Sequence, residues 1–155
     1  MAKGRPKKKT YIPGKDSIKY AESALKNHKE LQQYCRAFEK TNETLFQKID
    51  PERVREMMES GVLDNIPKGM SAIMESYLDK KEQVLLVSAS LTQMEPDVQT
   101  ITKLRHVEGI SIEEVIEQTG VSRATVKRKA KAGVLFIAEQ VEVYMWCKAV
   151  KVLGL

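Results

Sequence analysis

Apolar positions recur along this chain mostly at three- and four-residue steps, the spacing that marks one face of an α-helix. The first run spans residues 17–49 and forms a narrow seam. A coiled coil between subunits and a long helix packed within one chain both fit such a seam. Its members are Ile18, Ala21, Leu25, His28, Leu31, Cys35, Phe38, Asn42, Leu45 and Ile49.

Three further helices and a linker are predicted before residue 110. Asp50 and Pro51 are typical of an N-cap and a first helical position, and they begin a short helix that Gly61 closes. Its inward residues are Val54, Met57 and Met58. Residues 62–69 form the linker, residues 70–91 an amphipathic helix with a candidate break at 79–81, and residues 95–109 another helix.

Residues 109–131 predict two helices joined by a sharp turn. Ser111 and Glu114 have the spacing of a capping box, so a helix begins directly after the serine. Gly120 can take the left-handed conformation that a sharp reversal requires, and Ser122 caps the second helix. This is the layout of a helix-turn-helix, whose second helix enters the DNA major groove. An ordinary helical hairpin with a solvated basic face would share the pattern.

The second of these helices carries the candidate DNA contacts. Val126 is predicted to face the first helix, whereas Arg123 and Arg128 point away and read base edges, because an arginine can bond a guanine with two donors. The candidate phosphate contacts are Ser122, Thr125, Lys127, Lys129 and Lys131.

Beyond residue 131 the pattern stays helical. Gly133 either ends the recognition helix or is tolerated inside it. The apolar positions from Val134 to Leu153 cover too wide a face for a lone surface helix, so they are expected to pack on the earlier long helix or on a second subunit. Strand patterns are absent from the sequence. The predicted fold is therefore all-α: a helical bundle with a C-terminal helix-turn-helix and a disordered basic N-terminal arm.

Charge is segregated along the 155 residues. The predicted segments are a flexible arm (1–15), a helical and candidate oligomerising region (16–93), and the helix-turn-helix with its long C-terminal helix (94–155). Residues 1–15 and 122–131 hold 11 of the 26 basic residues and no acidic one, which leaves 15 basic residues against all 21 acidic ones. An acidic body with two basic segments indicates a nucleic-acid footprint.

The arm is a second candidate DNA contact, through Lys3, Arg5, Lys7, Lys8 and Lys9. Gly4, Arg5 and Pro6 resemble the core of an AT-hook, which places arginine in the narrow minor groove of A·T-rich DNA. A non-specific phosphate-binding arm is the alternative.

Residues 91–135 resemble region 4 of bacterial sigma factors and the phage regulators that share it, including the autolysin-regulator and late-transcription activator proteins of Gram-positive phages. The matching pieces begin at Leu91 and run through Met94–Asp97, Leu104–Gly109, Ser111–Val115, Gly120–Arg123, Thr125–Lys127, Lys131, Ala132 and Leu135. The resemblance implies a transcriptional regulator that binds double-stranded DNA and is a candidate to contact RNA polymerase.

The sequence departs from that family at three positions. Ile116 stands where a small residue is usual, and Thr119 and Ala130 stand where larger apolar residues are usual. Nothing upstream resembles the promoter-melting regions, so a complete sigma factor is not expected.

Other classes find little support in the residues. No phosphate-cradling glycine loop and no nucleophile–base motif is present, so neither an enzyme nor a cofactor is expected. Cys35 and Cys147 do not join His28 or His106 in a metal-ligand pattern, and each cysteine is expected to be a buried or half-buried hydrophobe. No apolar run is long enough for a membrane span and no signal peptide begins the chain, so we expect a cytoplasmic protein.

Three functions fit this sequence. The leading one is a sequence-specific, phage- or prophage-encoded transcriptional regulator, most simply a dimer reading two half-sites. The second is the small terminase subunit of a phage packaging machine, which combines a basic arm, a helix-turn-helix and a ring-forming helical region. The third is a protein that contacts RNA polymerase instead of DNA.

Overall fold

A computed structural model describes residues 11–43, 52, 55–56, 59–61 and 68–154 of the chain. Every regular element in this part is helical, and none of these residues lies in a strand, which confirms the all-α prediction. The elements are α1 (Lys15–Lys26), α2 (His28–Thr41), α3 (Lys68–Gln93), α4 (Pro96–Thr102), a π-helical turn (Lys103–Val107), α5 (Ile112–Thr119) and α6 (Arg123–Val152).

The predicted seam of residues 17–49 is not one helix where the structure describes it. Asn27 takes φ −94° and ψ 1° and separates α1 from α2, and Asn42 lies at the C-terminal cap of α2. The reason is packing: α1 lies mainly on α6, whereas α2 lies on α3, so the two halves of the seam serve different cores. Leu45 and Ile49 lie outside the described residues. The same is true of Val54, Met57 and Met58, the inward residues of the helix predicted to begin at Asp50.

The break expected at residues 79–81 is wrong, since α3 continues through it. The polar residues there have partners along the helix and on α2. Lys80 donates to Ser76 Oγ at 3.1 Å and lies 4.0 Å from the ring centre of Tyr34, and Lys81 donates to Glu39 Oε1 at 2.6 Å. A polar stretch inside a helix needs no break when its side chains lie at the edge of a packed face.

The central core joins α1, α3 and α6. Its buried side chains come from both the 16–93 and the 94–155 segments, so the two share one interior. The members are Ala21, Ala24, Leu25, Val87, Leu91, Met94, Val134, Ile137, Ala138 and Val141. The alanines of α1 allow this short helix to lie close against α6. The apolar face of the C-terminal helix is therefore covered by an earlier helix of the same chain, one of the two outcomes expected.

A second core joins α2 to α3. Cys35, Tyr77, Leu78 and Val84 are buried in it, and the rings of Phe38 and Tyr77 stack with centroids 4.6 Å apart. Offset stacking of this kind adds to the stabilisation that burial alone provides. Burial raises the pKa of the Tyr77 hydroxyl, and its hydrogen bond to Glu39 acts in the same direction.

The prediction that both cysteines are buried or half-buried is confirmed for one of them and wrong for the other. Cys35 is buried, as expected, and burial raises the pKa of its thiol. Cys147 is exposed on α6, so the expectation of a buried or half-buried side chain is wrong there. No helix in the described part of the chain is both long and apolar enough to cross a membrane.

Gly133 lies inside α6 and does not end it, which decides between the two alternatives for this residue. A Cβ atom at Gly133 would lie 1.9 Å from Thr102 Oγ1 and 2.8 Å from Thr102 Cβ. Real Cβ atoms do not approach other atoms so closely, so only glycine lets the last turn of α4 rest on α6.

Replacing Gly133 by alanine is expected to destabilise the fold. Overpacking costs up to about 3 kcal/mol, and alanine returns about 1 kcal/mol in helix propensity. We therefore expect the free energy of unfolding to fall by about 2 kcal/mol, measured by urea denaturation. Gly69→Ala in α3 is the matched control, because a Cβ there meets nothing within 4 Å. A Gly133→Ala protein as stable as the Gly69→Ala protein would contradict the close packing of α4 on α6.

Candidate nucleic-acid interface

The π-helical turn positions the unit that follows it. Arg105 Nη1 donates to the Ile110 carbonyl at 2.7 Å, which fixes the segment around Gly109 (φ 66°). His106 Nε2 donates to the Ala130 carbonyl of α6 at 3.2 Å. Burial lowers the pKa of His106, although the bond to Ala130 opposes this effect. One five-residue turn thus holds both ends of the candidate DNA-binding unit.

The predicted caps and turn are confirmed. Ser111 Oγ accepts a hydrogen bond from the Glu114 amide at 3.3 Å and begins α5. Gly120 ends α5 in the left-handed conformation (φ 71°), where a β-carbon would be strained. Ser122 Oγ accepts from the Thr125 amide at 3.3 Å and begins α6. Each of these capping interactions joins residues no more than three positions apart, so the sequence alone could locate the helix ends.

A small apolar core holds α5 against α6. Ile101, Val115, Val126 and Ala130 are buried there, and Val126 faces the first helix as predicted. Ile116, Ile112, Leu104, Ile110 and Val121 pack around them. Ile116 and Ala130, two of the positions that depart from the sigma-like pattern, belong to this same cluster. Thr119, the third, donates to the Val115 carbonyl at 2.6 Å.

The first turns of α6 form the recognition helix. Its outward face carries a stripe of three exposed residues, Ala124, Arg128 and Lys131. Successive residues of an α-helix are rotated by about 100°, so Ala124, Arg128 and Lys131 point roughly opposite to the buried Val126 and Ala130. All three are exposed. Neither Arg128 nor Lys131 forms an ion pair with a described residue. This stripe is the part of the helix that a groove would meet first.

The side of the recognition helix nearest α5 carries Arg123 and Lys127. Both are exposed, and Arg123 Nη2 lies 2.6 Å from Glu113 Oε1. The Arg123 guanidinium holds the pKa of the Glu113 carboxyl below its usual range, chiefly through this hydrogen bond. The sequence predicts that Arg123 and Arg128 both read base edges, but the structure places the two side chains on different sides of the helix.

Lys129 lies on the opposite side, nearest α4. Its Nζ atom is 2.9 Å from Asp97 Oδ2, and its side chain is only 21% exposed. Ser122 and Thr125 are also engaged, because the Ser122 hydroxyl donates to Thr125 Oγ1 at 2.9 Å. Of the seven candidate residues on this helix, only Lys127, Arg128 and Lys131 are exposed without a side-chain partner among the described residues.

Sequence reasoning missed three members of this surface. Ala124 shares the outward stripe with Arg128, and its four-residue spacing from that arginine is a signal that was present in the sequence. Glu113 and Asp97 each hold a basic residue of the recognition helix, and no local pattern links them to it. The arm contacts at Lys3, Arg5, Lys7, Lys8 and Lys9 lie outside the described residues.

No group of three or more histidine, cysteine, aspartate or glutamate residues in the described ranges could hold a metal ion. A family model, described as the helix-turn-helix domain of resolvase, matches residues 91–133. This match covers α4, the π-helical turn, α5 and the recognition helix, the same elements that the geometry assembles. No curated protein and no solved structure is similar enough to match the chain. Residues 91–133 therefore carry a helix-turn-helix of the DNA-binding type.

The ion pair between Glu113 and Arg123 gives a test of this surface. Replacing Glu113 by glutamine releases the guanidinium and removes a negative charge beside the recognition helix, so affinity for duplex DNA should rise by a few-fold. Fluorescence anisotropy at low salt measures it. The stability cost should be small, because exposed ion pairs contribute little.

Glu117→Gln is the matched control, since Glu117 is an exposed carboxylate of α5 with no ion pair to a described residue. If both variants raised the affinity equally, the effect would be one of net charge and not of a released Arg123.

Proposed function

We propose that this protein is a sequence-specific transcriptional regulator that reads the DNA major groove with the helix beginning at Ser122. The proposal rests on the exposed stripe of Ala124, Arg128 and Lys131, which projects from a helix whose N-terminus is capped and whose inner face is packed. We also propose a phage or prophage origin, which is supported by the resemblance to phage regulators of the sigma region-4 type. The family model that matches residues 91–133 describes only the DNA-binding helix-turn-helix domain of resolvase. It is therefore compatible with a role in transcriptional regulation.

Within this stripe, the chemistry of each side chain suggests its role. Arg128 is the best candidate for a bidentate contact to guanine, and Ala124 is suited to the methyl group of thymine. Lys131 is a flexible point charge and suits a phosphate, as do Lys127 and Lys129. For Lys129 to bind phosphate it must leave Asp97. We retain Arg123 as a second base contact that becomes available when Glu113 releases it.

The arm would add affinity with little specificity. It leaves the described part of the chain beside α6, where Tyr11 Oη and the Gly14 amide donate to Glu142 at 2.8 and 3.0 Å. The basic residues of the arm would then reach phosphates flanking the major-groove site, and each one neutralised steepens the salt dependence of binding. The AT-hook reading adds a preference for A·T-rich flanks.

Self-association as a dimer is part of the proposal, and it would use the outer side of the Val134–Leu153 helix, one of the two segments considered from the sequence. Val141 is buried in the central core and Cys35 in the second core, so both seams are occupied within the chain. Val143 and Trp146, one helical turn apart on α6, remain 50% and 67% exposed. They are the better candidates for a contact between subunits, because exposed aromatic and β-branched side chains on one face favour association.

Binding-site selection from random duplexes tests the assignment of Arg128. We expect Arg128→Ala to flatten the preference at one or two base pairs, because a bidentate arginine–guanine contact discriminates by about 1–3 kcal/mol. Lys131→Ala should weaken binding to all sequences about equally and lower the salt dependence. An unchanged consensus for the Arg123→Ala/Arg128→Ala protein would rule the assignment out, and no DNA affinity at low ionic strength would favour contact with RNA polymerase alone.

Oligomer size separates the regulator from its alternative, the small terminase subunit. The chain contains one tryptophan, Trp146, so its emission should shift to the blue as protein concentration rises. Trp146→Glu should abolish association measured by light scattering, whereas Ile73→Glu, at another exposed apolar residue, should not. A closed ring of many subunits would favour DNA packaging over regulation. A monomer with and without DNA would remove both the dimer and the ring.

A further inference from the structure

The last turns of α6 carry an apolar face that stays largely open to solvent. Val143, Trp146, Val150 and Leu153 follow one another at steps of three, four and three residues, which places them on one side of the helix. Val143, Trp146 and Leu153 are exposed, and Val150 is half-buried. This side is turned away from the central core, which α6 enters through Val141 and earlier residues.

The root of the predicted arm is fixed on α6. The Tyr11 hydroxyl and the Gly14 amide both donate to Glu142, and Pro13 between them is buried. The side chains of Tyr11 and Ile12 nevertheless remain 61% and 75% exposed. The segment therefore presents two large apolar side chains from a defined position, so little conformational entropy would be lost when another surface covers them.

Helix geometry places this segment beside the apolar face of α6. The hydrogen bond to Glu142 raises the pKa of Tyr11 and the charge of Glu139 acts in the same direction, so the ring lies near both carboxylates. Val143 follows Glu139 by four residues and Trp146 follows Glu142 by four, which puts each one turn further along the same side of the helix. The arm root and the helix face thus adjoin each other.

Together they form one outer patch, which consists of Tyr11, Ile12, Val143, Trp146 and Leu153. An aromatic side chain offers about 150–250 Å² of surface. The exposed fractions of Tyr11 and Trp146 alone therefore amount to about 200–300 Å². The three aliphatic members bring the outer patch into the size range that marks an interaction site.

The charges around the outer patch make it complementary to itself. Glu139 lies near Tyr11, and Lys15 directly follows the Gly14 that is held at Glu142. Glu139 and Lys15 are exposed, and neither forms an ion pair with a described residue of its own chain. In a two-fold dimer the same surface faces itself, so Lys15 of one copy can meet Glu139 of the other. A uniformly acidic or basic partner would instead meet one of these charges with its own sign.

We propose that Tyr11 and Ile12 pack against α6 of a second copy, so that the arm root is part of the dimer contact. This inference rests on the dimer in the proposed function and adds to it an N-terminal segment that pairing of the helix faces alone does not require. In such a dimer both basic arms begin at the shared interface, beside the two-fold axis, and not at the outer ends of the assembly.

Self-association of the full chain, without DNA, tests this contact. Ile12→Glu would bury an unpaired carboxylate at the contact, so we expect the dimer dissociation constant to rise by about tenfold or more. Sedimentation equilibrium over a series of protein concentrations measures it. Leu85→Glu is the matched control, because Leu85 is 54% exposed on α3 and lies outside the outer patch. Both variants should keep the helical content and melting temperature of the wild type, since both side chains are exposed in the single chain.

A rise for Ile12→Glu with no change for Leu85→Glu supports the inference. If Ile12→Glu associates as tightly as the wild type while Trp146→Glu is monomeric, the helix face makes the contact alone. The arm root then has no part in it, and the dimer of the proposed function survives. Equal weakening by Ile12→Glu and Leu85→Glu would reveal a general effect of charge and would also overturn the inference. A monomeric wild type would remove the dimer and the inference together.

Discussion

The contact between Gly133 and Thr102 is the constraint on which the rest of this architecture depends. It lets the last turn of α4 rest directly on the backbone of α6, with no side chain of α6 between them. α6 can therefore remain one helix while its N-terminal turns pack against α5 and its middle packs against α1 and α3. A larger residue would separate α4 from α6, and both the central core and the small core of the helix-turn-helix would lose their alignment.

The helix-turn-helix could be predicted from sequence because its signals are local. A serine cap, a left-handed glycine and a second serine cap each act through the backbone within three residues. The packing around it could not be predicted in the same way. Arg123 meets Glu113 ten residues away, and Lys129 meets Asp97 across 32 residues. Only the fold determines such pairs, and they change which basic side chains are free.

The same distinction explains the errors elsewhere in the chain. Periodicity shows that a segment has an apolar face, but it does not tell which partner covers that face. Asn27 therefore passed unnoticed within a continuous pattern, although it divides the segment between two cores. The polar residues at 79–81 had the opposite effect, since they suggested a break where interhelical partners such as Glu39 and Tyr34 keep the helix intact.

α6 is one continuous helix from Arg123 to Val152. The 23 residue-to-residue steps from Arg123 to Trp146 correspond to about 35 Å along a helix axis, close to one turn of B-form DNA. No break in the helix lies between the exposed stripe of Ala124, Arg128 and Lys131 and the exposed side chains of Val143 and Trp146. The relative orientation of these two surfaces is therefore set by the number of residues between them. One residue inserted between them would turn the apolar end by about 100° while leaving the chemistry of both ends intact. The number of residues between these two surfaces therefore matters as much as their identity, because it sets the angle between the surfaces.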